Sequence, residues 1–183
     1  MKMKTKLLTT FEKWANWKSI LLLFALQMLF NLVILPGVSS SDTHDLPVLD
    51  LQFWYTPQRA YEIIGAYPAE LLRSAAIGRL TVDMVYPLVY GLLISLLLIV
   101  TFRRAFAKKD FADWAVFIPW GGVLGDYLEN ISLSTLYLQY PAELTTLAWM
   151  ASIFTATKWT LIGIAFVLVL IGAVKLTFDK KQA

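Results

Sequence analysis

The chain has 183 residues, 58% of them hydrophobic and 16% charged, with a formal charge of +3, a mean hydropathy of +0.62 and no cysteine. A soluble domain carries about 25% charged residues, so this composition points to a bilayer rather than to an aqueous globular fold. The missing cysteine excludes disulfides, thiolate metal sites and dithiol redox chemistry.

Before the first apolar run, "LLTTFEKWANW" places Leu7, Leu8, Phe11, Trp14 and Ala15 on one helical face with lysines elsewhere. That pattern fits a helix in the headgroup region, or one continuing directly into the first span. Four runs then meet the ~20 mostly apolar residues that a transmembrane helix needs. They extend from Trp17 to Leu35, Ile77 to Phe102, Phe111 to Leu138 and Leu144 to Val174. The first also has the basic start and the "GVSSS" tail of a signal peptide, but it is long for one. It carries Gln27 and Asn31 four residues apart on one face, so it is taken as a retained span. The expected fold is all-α: a four-transmembrane-helix bundle forming a single membrane domain over 1–183, with 1–16 interfacial and a structured outer segment at 38–76 between helices 1 and 2.

Twelve of the sixteen Lys and Arg residues lie before or at the very start of the first span, between the second and third, or after the fourth. Cytoplasmic flanks collect such residues, which predicts cytoplasmic N- and C-termini in the cell inner membrane. In the outer segment, Thr56 and Pro57 predict an N-capped short helix to about Ala66, among aromatics suited to a membrane boundary. "YPAEL" occurs at Tyr67 to Leu71 and again at Tyr140 to Leu144. Both copies are expected to start helices, with Pro first and Glu in the first turn; an old hairpin duplication is the alternative.

Every span carries polar residues. At ~1.5 Å per residue Asp126 lies roughly 18 Å into span three, near the middle of a core ~30 Å thick. Glu129 and Asn130 share its face in "GDYLEN", and Lys158 reaches a similar depth in span four. Span two supplies Arg79, Asp83, Tyr86 and Tyr90, and span one supplies Gln27 and Asn31. Charges facing lipid would cost about 2.5–3.5 kcal/mol each on insertion scales, so these groups are expected to face inward and pair. The pairs predicted are Lys158 with Asp126 or Glu129, and Arg79 with Asp83. Two cations then face three carboxylates, leaving one acid for a cation, a proton or the amine of a ligand.

His44, the single histidine, falls in the acidic stretch "SSSDTHDLP" and is expected to be a solvated loop residue. No histidine lies in a span, so bis-histidine haem and His/Cys metal sites lack ligands. No cofactor is expected, no phosphate-cradling loop or nucleophile–base motif is present, and nothing beyond ordinary basic flanks addresses nucleic acid.

Four spans, cytoplasmic termini and acids around an internal centre resemble the EXPERA group, which includes the sigma-2 receptor and sterol isomerase. That likeness of architecture implies binding of amphipathic amines or sterols between helices, with Asp83, Asp126 and Glu129 as the cavity acids. "VDMVYP" at Val82 to Pro87 is similar to an acid and proline element in the second helix of MAPEG proteins. The pattern of Arg79, Asp83 and Pro87 with Asp126, Glu129 and Asn130 looks most like prokaryotic four-helix integral membrane proteins, which implies architecture and no activity. The leading expectation is therefore a small amphipathic or lipidic ligand at an intramembrane polar centre walled by Tyr86 and Tyr90. The alternatives are a structural membrane subunit that recruits a protein partner or a second copy, and a proton- or ion-translocating protein.

Overall fold

A computed structural model describes residues 2–38, 48–106 and 110–181. His44, Asp42, Asp45, Lys108 and Lys109 lie outside the described residues. The described chain is all-α, with no strand among the described residues. Its helices are α1 (Lys2–Trp14), α2 (Trp17–Leu29), α3 (Leu35–Val38), α4 (Pro57–Gly65), α5 (Ala69–Leu98), α6 (Asp110–Ala115), α7 (Ile118–Gln139) and α8 (Thr145–Lys181). π-helical turns at Phe30–Ile34 and Ile99–Arg103 extend α2 and α5, and a 3₁₀ turn at Leu49–Leu51 precedes α4.

Among the described residues three helices are long and apolar enough to cross a membrane: Trp17–Ile34, Ala69–Arg103 and Thr145–Asp179. The third run expected from sequence is not among them. It divides into α6 and α7 at Val116 and Phe117, just before Pro119, which has no N–H for the Ala115 carbonyl four residues earlier and whose ring crowds that carbonyl. Gly121, Gly122, Gly125, Asp126, Glu129 and Asn130 also keep α7 less apolar than its neighbours.

Contacts divide the chain into two compact units, one of residues 1–27, 89–122 and 160–183, the other of residues 28–88 and 123–159. In the first unit α1 is a helix of its own. The chain breaks at Ala15 and Asn16, and the Asn16 side chain caps α2 by accepting from the Lys18 and Ser19 amides, both at 3.1 Å. Phe11 stacks on Trp120 with ring centroids 5.9 Å apart, and Arg103 pairs with Glu12 at 2.5 Å and Asp113 at 2.8 Å. At the break between α6 and α7, buried Ser95 donates to the Val116 carbonyl at 2.9 Å and accepts from the Trp120 indole at 3.1 Å. That bond satisfies a carbonyl exposed by the interruption. The tightest crossing sets Gly172 against the π turn: a Cβ there would lie 2.2 Å from the Phe102 nitrogen, so only glycine fits.

In the second unit Thr56 N-caps α4, accepting from the Arg59 amide at 3.2 Å, with Pro57 at the first helical position. Ile63 and Ile64 of α4 pack with Leu49, Leu133, Leu136 and Tyr137 in the unit's core. Ser134 ties α7 to α5 by donating to the Ala76 carbonyl at 3.1 Å. The two "YPAEL" copies differ in structure. The first leads into α5, which begins at Ala69 with Glu70 in its first turn. The second is a turn through Tyr140 and Ala142, and α8 starts only at Thr145 with no acid in its first turn. The Ala142 amide bonds the Gln139 carbonyl at 2.9 Å, and the Tyr61 hydroxyl accepts the Leu144 amide. Tertiary bonds at that end, not the local motif, set where α8 starts.

Candidate functional site: a buried polar centre

The centre lies within the second unit, where α7 and α8 cross at Gly125. A Cβ on Gly125 would sit 3.3 Å from the Lys158 nitrogen and 3.4 Å from the Phe154 carbonyl oxygen, so the backbones nearly touch. This approach puts Lys158 opposite the 126, 129, 130 face of α7. Glu129 is fully buried, and Asp126, Asn130, Thr155 and Lys158 are buried around it. The Lys158 ammonium donates to Glu129 Oε2 and lies 3.9 Å from Asp126 Oδ1. Thr155 Oγ1 donates to Glu129 Oε1 at 2.5 Å. Both predicted acids for Lys158 are therefore its partners.

Pro87 of α5 has no N–H, so the Asp83 carbonyl four residues earlier loses its helical donor. Asn130 Nδ2 supplies one at 3.2 Å and also donates to Asp126 Oδ1 at 3.0 Å. A defect in α5 is thus the docking point for α7.

Arg79 departs from expectation. It pairs with Asp50 at 3.3 Å rather than with Asp83. Helical side chains lean toward the N-terminus, so an arginine one turn before an aspartate reaches away from it. Arg79 duly bonds the Ala75 carbonyl at 3.3 Å and lies 4.7 Å from the centroid of the Tyr137 ring. Among the described residues the half-buried Asp83 carboxylate makes no ion pair or hydrogen bond.

Asp50 was not expected here, because its acidic neighbours make it look like part of a solvated loop. The one available signal was its setting in "PVLDLQFWY", where flanking apolar residues imply docking. The Trp159 indole bonds the Asp50 carbonyl at 3.0 Å, and Tyr55 reaches α8 through its amide, 3.0 Å from Ser152 Oγ. The Tyr55 hydroxyl lies 3.4 Å from Thr155 Oγ1, and burial pushes its pKa well above the usual phenol value.

Tyr86 donates to Asn31 Oδ1 at 3.0 Å, and its ring lies 5.7 Å from that of Phe30. Phe30 and Asn31 open the π turn of span one, the kind of bulge that re-aims side chains. Gln27 and Tyr90 belong to the other unit, where Tyr90 is buried. Among the described residues no three His, Cys, Asp or Glu side chains converge as metal ligands. No family model, curated protein or solved structure matches the chain.

Proposed function

We propose that the chain is a four-span inner-membrane protein with cytoplasmic termini, α7 being the fourth crossing, and that Asp83 receives the cationic head of a small amphipathic molecule. One observation carries this reading. Among the described residues of the centre four carboxylates, Asp50, Asp83, Asp126 and Glu129, accompany two cations, Arg79 and Lys158, and of these four the Asp83 carboxylate makes no ion pair or hydrogen bond with a described residue. An ionised carboxylate at membrane depth is costly until a positive charge meets it. A ligand ammonium would supply that charge and leave an apolar tail in hydrocarbon. The Tyr86 ring offers it a π face.

The test is binding to protein in nanodiscs of a long-chain primary alkylamine against the alcohol of equal chain length. The amine binds more tightly, and Asp83→Asn weakens it about tenfold or more, as the ~1.5–3 kcal/mol of a hydrogen bond to a charged group implies. The unfolding midpoint of the variant stays at or above that of the parent, because a half-buried acid with no ion pair among the described residues has been removed. Equal affinity for amine and alcohol, or an unchanged Asp83→Asn variant, removes the reading.

A second reading, a structural network that fixes helix packing, is favoured by the closure of the Lys158, Glu129 and Thr155 cluster. The two readings apply to different acids: Glu129 is already partnered, Asp83 is not.

A further inference from the structure

The first unit holds a second set of charges that the polar centre does not use. Helix α1 is fastened on one side only. Leu8 and Ala15 are buried, Phe11 stacks on Trp120, and Glu12, its single acid, is held by Arg103. Residues seven apart lie two turns along one stripe. By that spacing Lys6 and Lys13 share a stripe on the side away from the buried residues. Leu7 and Trp14 form the neighbouring stripe, 45% and 58% exposed. Lys18 follows at the start of α2, with its ammonium 5.9 Å from the exposed Trp17 ring. Among the described residues Lys6, Lys13 and Lys18 make no ion pair, so α1 presents cations beside unburied tryptophan and leucine.

We propose that this face of α1 and the start of α2 bind the phosphate headgroups of anionic phospholipids. Trp14, Trp17 and Leu7 lie among the upper acyl chains, and Lys6, Lys13 and Lys18 contact the phosphates. The occupant follows from charge complementarity and place: the face is cationic, its apolar edge carries the tryptophans that favour the membrane boundary, and the candidate span Trp17–Ile34 begins where it ends. The proposal rests on the candidate spans and not on Asp83.

The experiment uses the full chain in nanodiscs of phosphatidylcholine with and without phosphatidylglycerol. It compares the parent with a triple variant, Lys6→Gln, Lys13→Gln and Lys18→Gln. Native mass spectrometry is expected to show phosphatidylglycerol retained several-fold over phosphatidylcholine by the parent. The triple variant loses that preference while keeping its unfolding midpoint in pure phosphatidylcholine. Lys175→Gln, which removes a lysine already paired with Asp179 at 3.0 Å, retains it. Inorganic phosphate does not displace the lipid. Fluorescence at position 14, read as the difference from Trp14→Phe, is quenched by a headgroup spin label. Undiminished phosphatidylglycerol retention in the triple variant, displacement by free phosphate, or an unquenched Trp14, as for a face covered by another protein, would each overturn the proposal.

Discussion

At position 87 a proline removes one hydrogen from the backbone of α5, and the consequence is felt on α7. The Asp83 carbonyl, deprived of its partner, accepts from Asn130. Asn130→Ala should therefore cost ~1–3 kcal/mol, because it leaves the part-buried Asp83 carbonyl without its donor and strips buried Asp126 of another. Pro87→Ala restores the helical N–H, so in that background the same change to Asn130 should cost measurably less. The check is a double-mutant cycle of unfolding free energies; additivity would show that proline and asparagine act independently. The spacing of Asp83 to Pro87 and of Asp126 to Asn130 was visible in the sequence, as was the partnership of Lys158 with the α7 acids. That one motif satisfies the other was not, since proline's missing hydrogen says nothing of which helix will fill the gap. Arg79 illustrates the opposite failure. Its i, i+4 acid was the nearest in sequence, yet side-chain lean sent the guanidinium to Asp50, 29 positions away.

Helix crossings divide the glycines by what surrounds them. Gly172 meets the backbone of Phe102 and Thr101, whereas a Cβ on Gly163 of the same helix meets nothing within 4 Å. Alanine favours a helix by ~1 kcal/mol over glycine, so Gly163→Ala should be neutral or stabilising. Gly172→Ala must push two backbones apart and should cost ~1–3 kcal/mol or more, as overpacking does. Thermal unfolding in one detergent compares the two directly, and equal midpoints would remove the crossing argument. Sequence reveals both residues as glycine and cannot separate them, because the distinction lies in the partner helix. The same limit explains the repeat. "YPAEL" has equal local chemistry in its two copies, but Tyr61 accepts the Leu144 amide beyond the second, and α8 begins there. Where the determinants are local, as with Thr56 and Pro57 at α4, sequence and structure agree.

For the molecule as a whole, hydropathy and electrostatics disagree about α7. Apolar length marks three candidate spans among the described residues, an odd number that would leave the termini on opposite sides if each crossed and nothing else did. The buried partnership of Asp126 and Glu129 with Lys158 of α8, a candidate span, is the ground for the proposal that α7 lies at the same depth. A helix that hides its charges against neighbours needs less apolar surface to span, since only its lipid face must be hydrophobic. Along the body of α7 the exposed residues, Leu124, Leu128, Ile131 and Leu138, are apolar, and polar Gln139 is exposed only at its last position. The proposed topology therefore has an even number of crossings, in accord with the basic flanks at both ends of the chain. The absence of native cysteine allows a clean test with single cysteines replacing exposed Thr9, Gln58 and Thr177. In intact cells a membrane-impermeant maleimide should label position 58 alone. Positions 9 and 177 should react together, and only after the membrane is opened. Labelling of 177 without 9 would mean that α7 enters the bilayer and returns, and that its acids reach Lys158 without a fourth crossing.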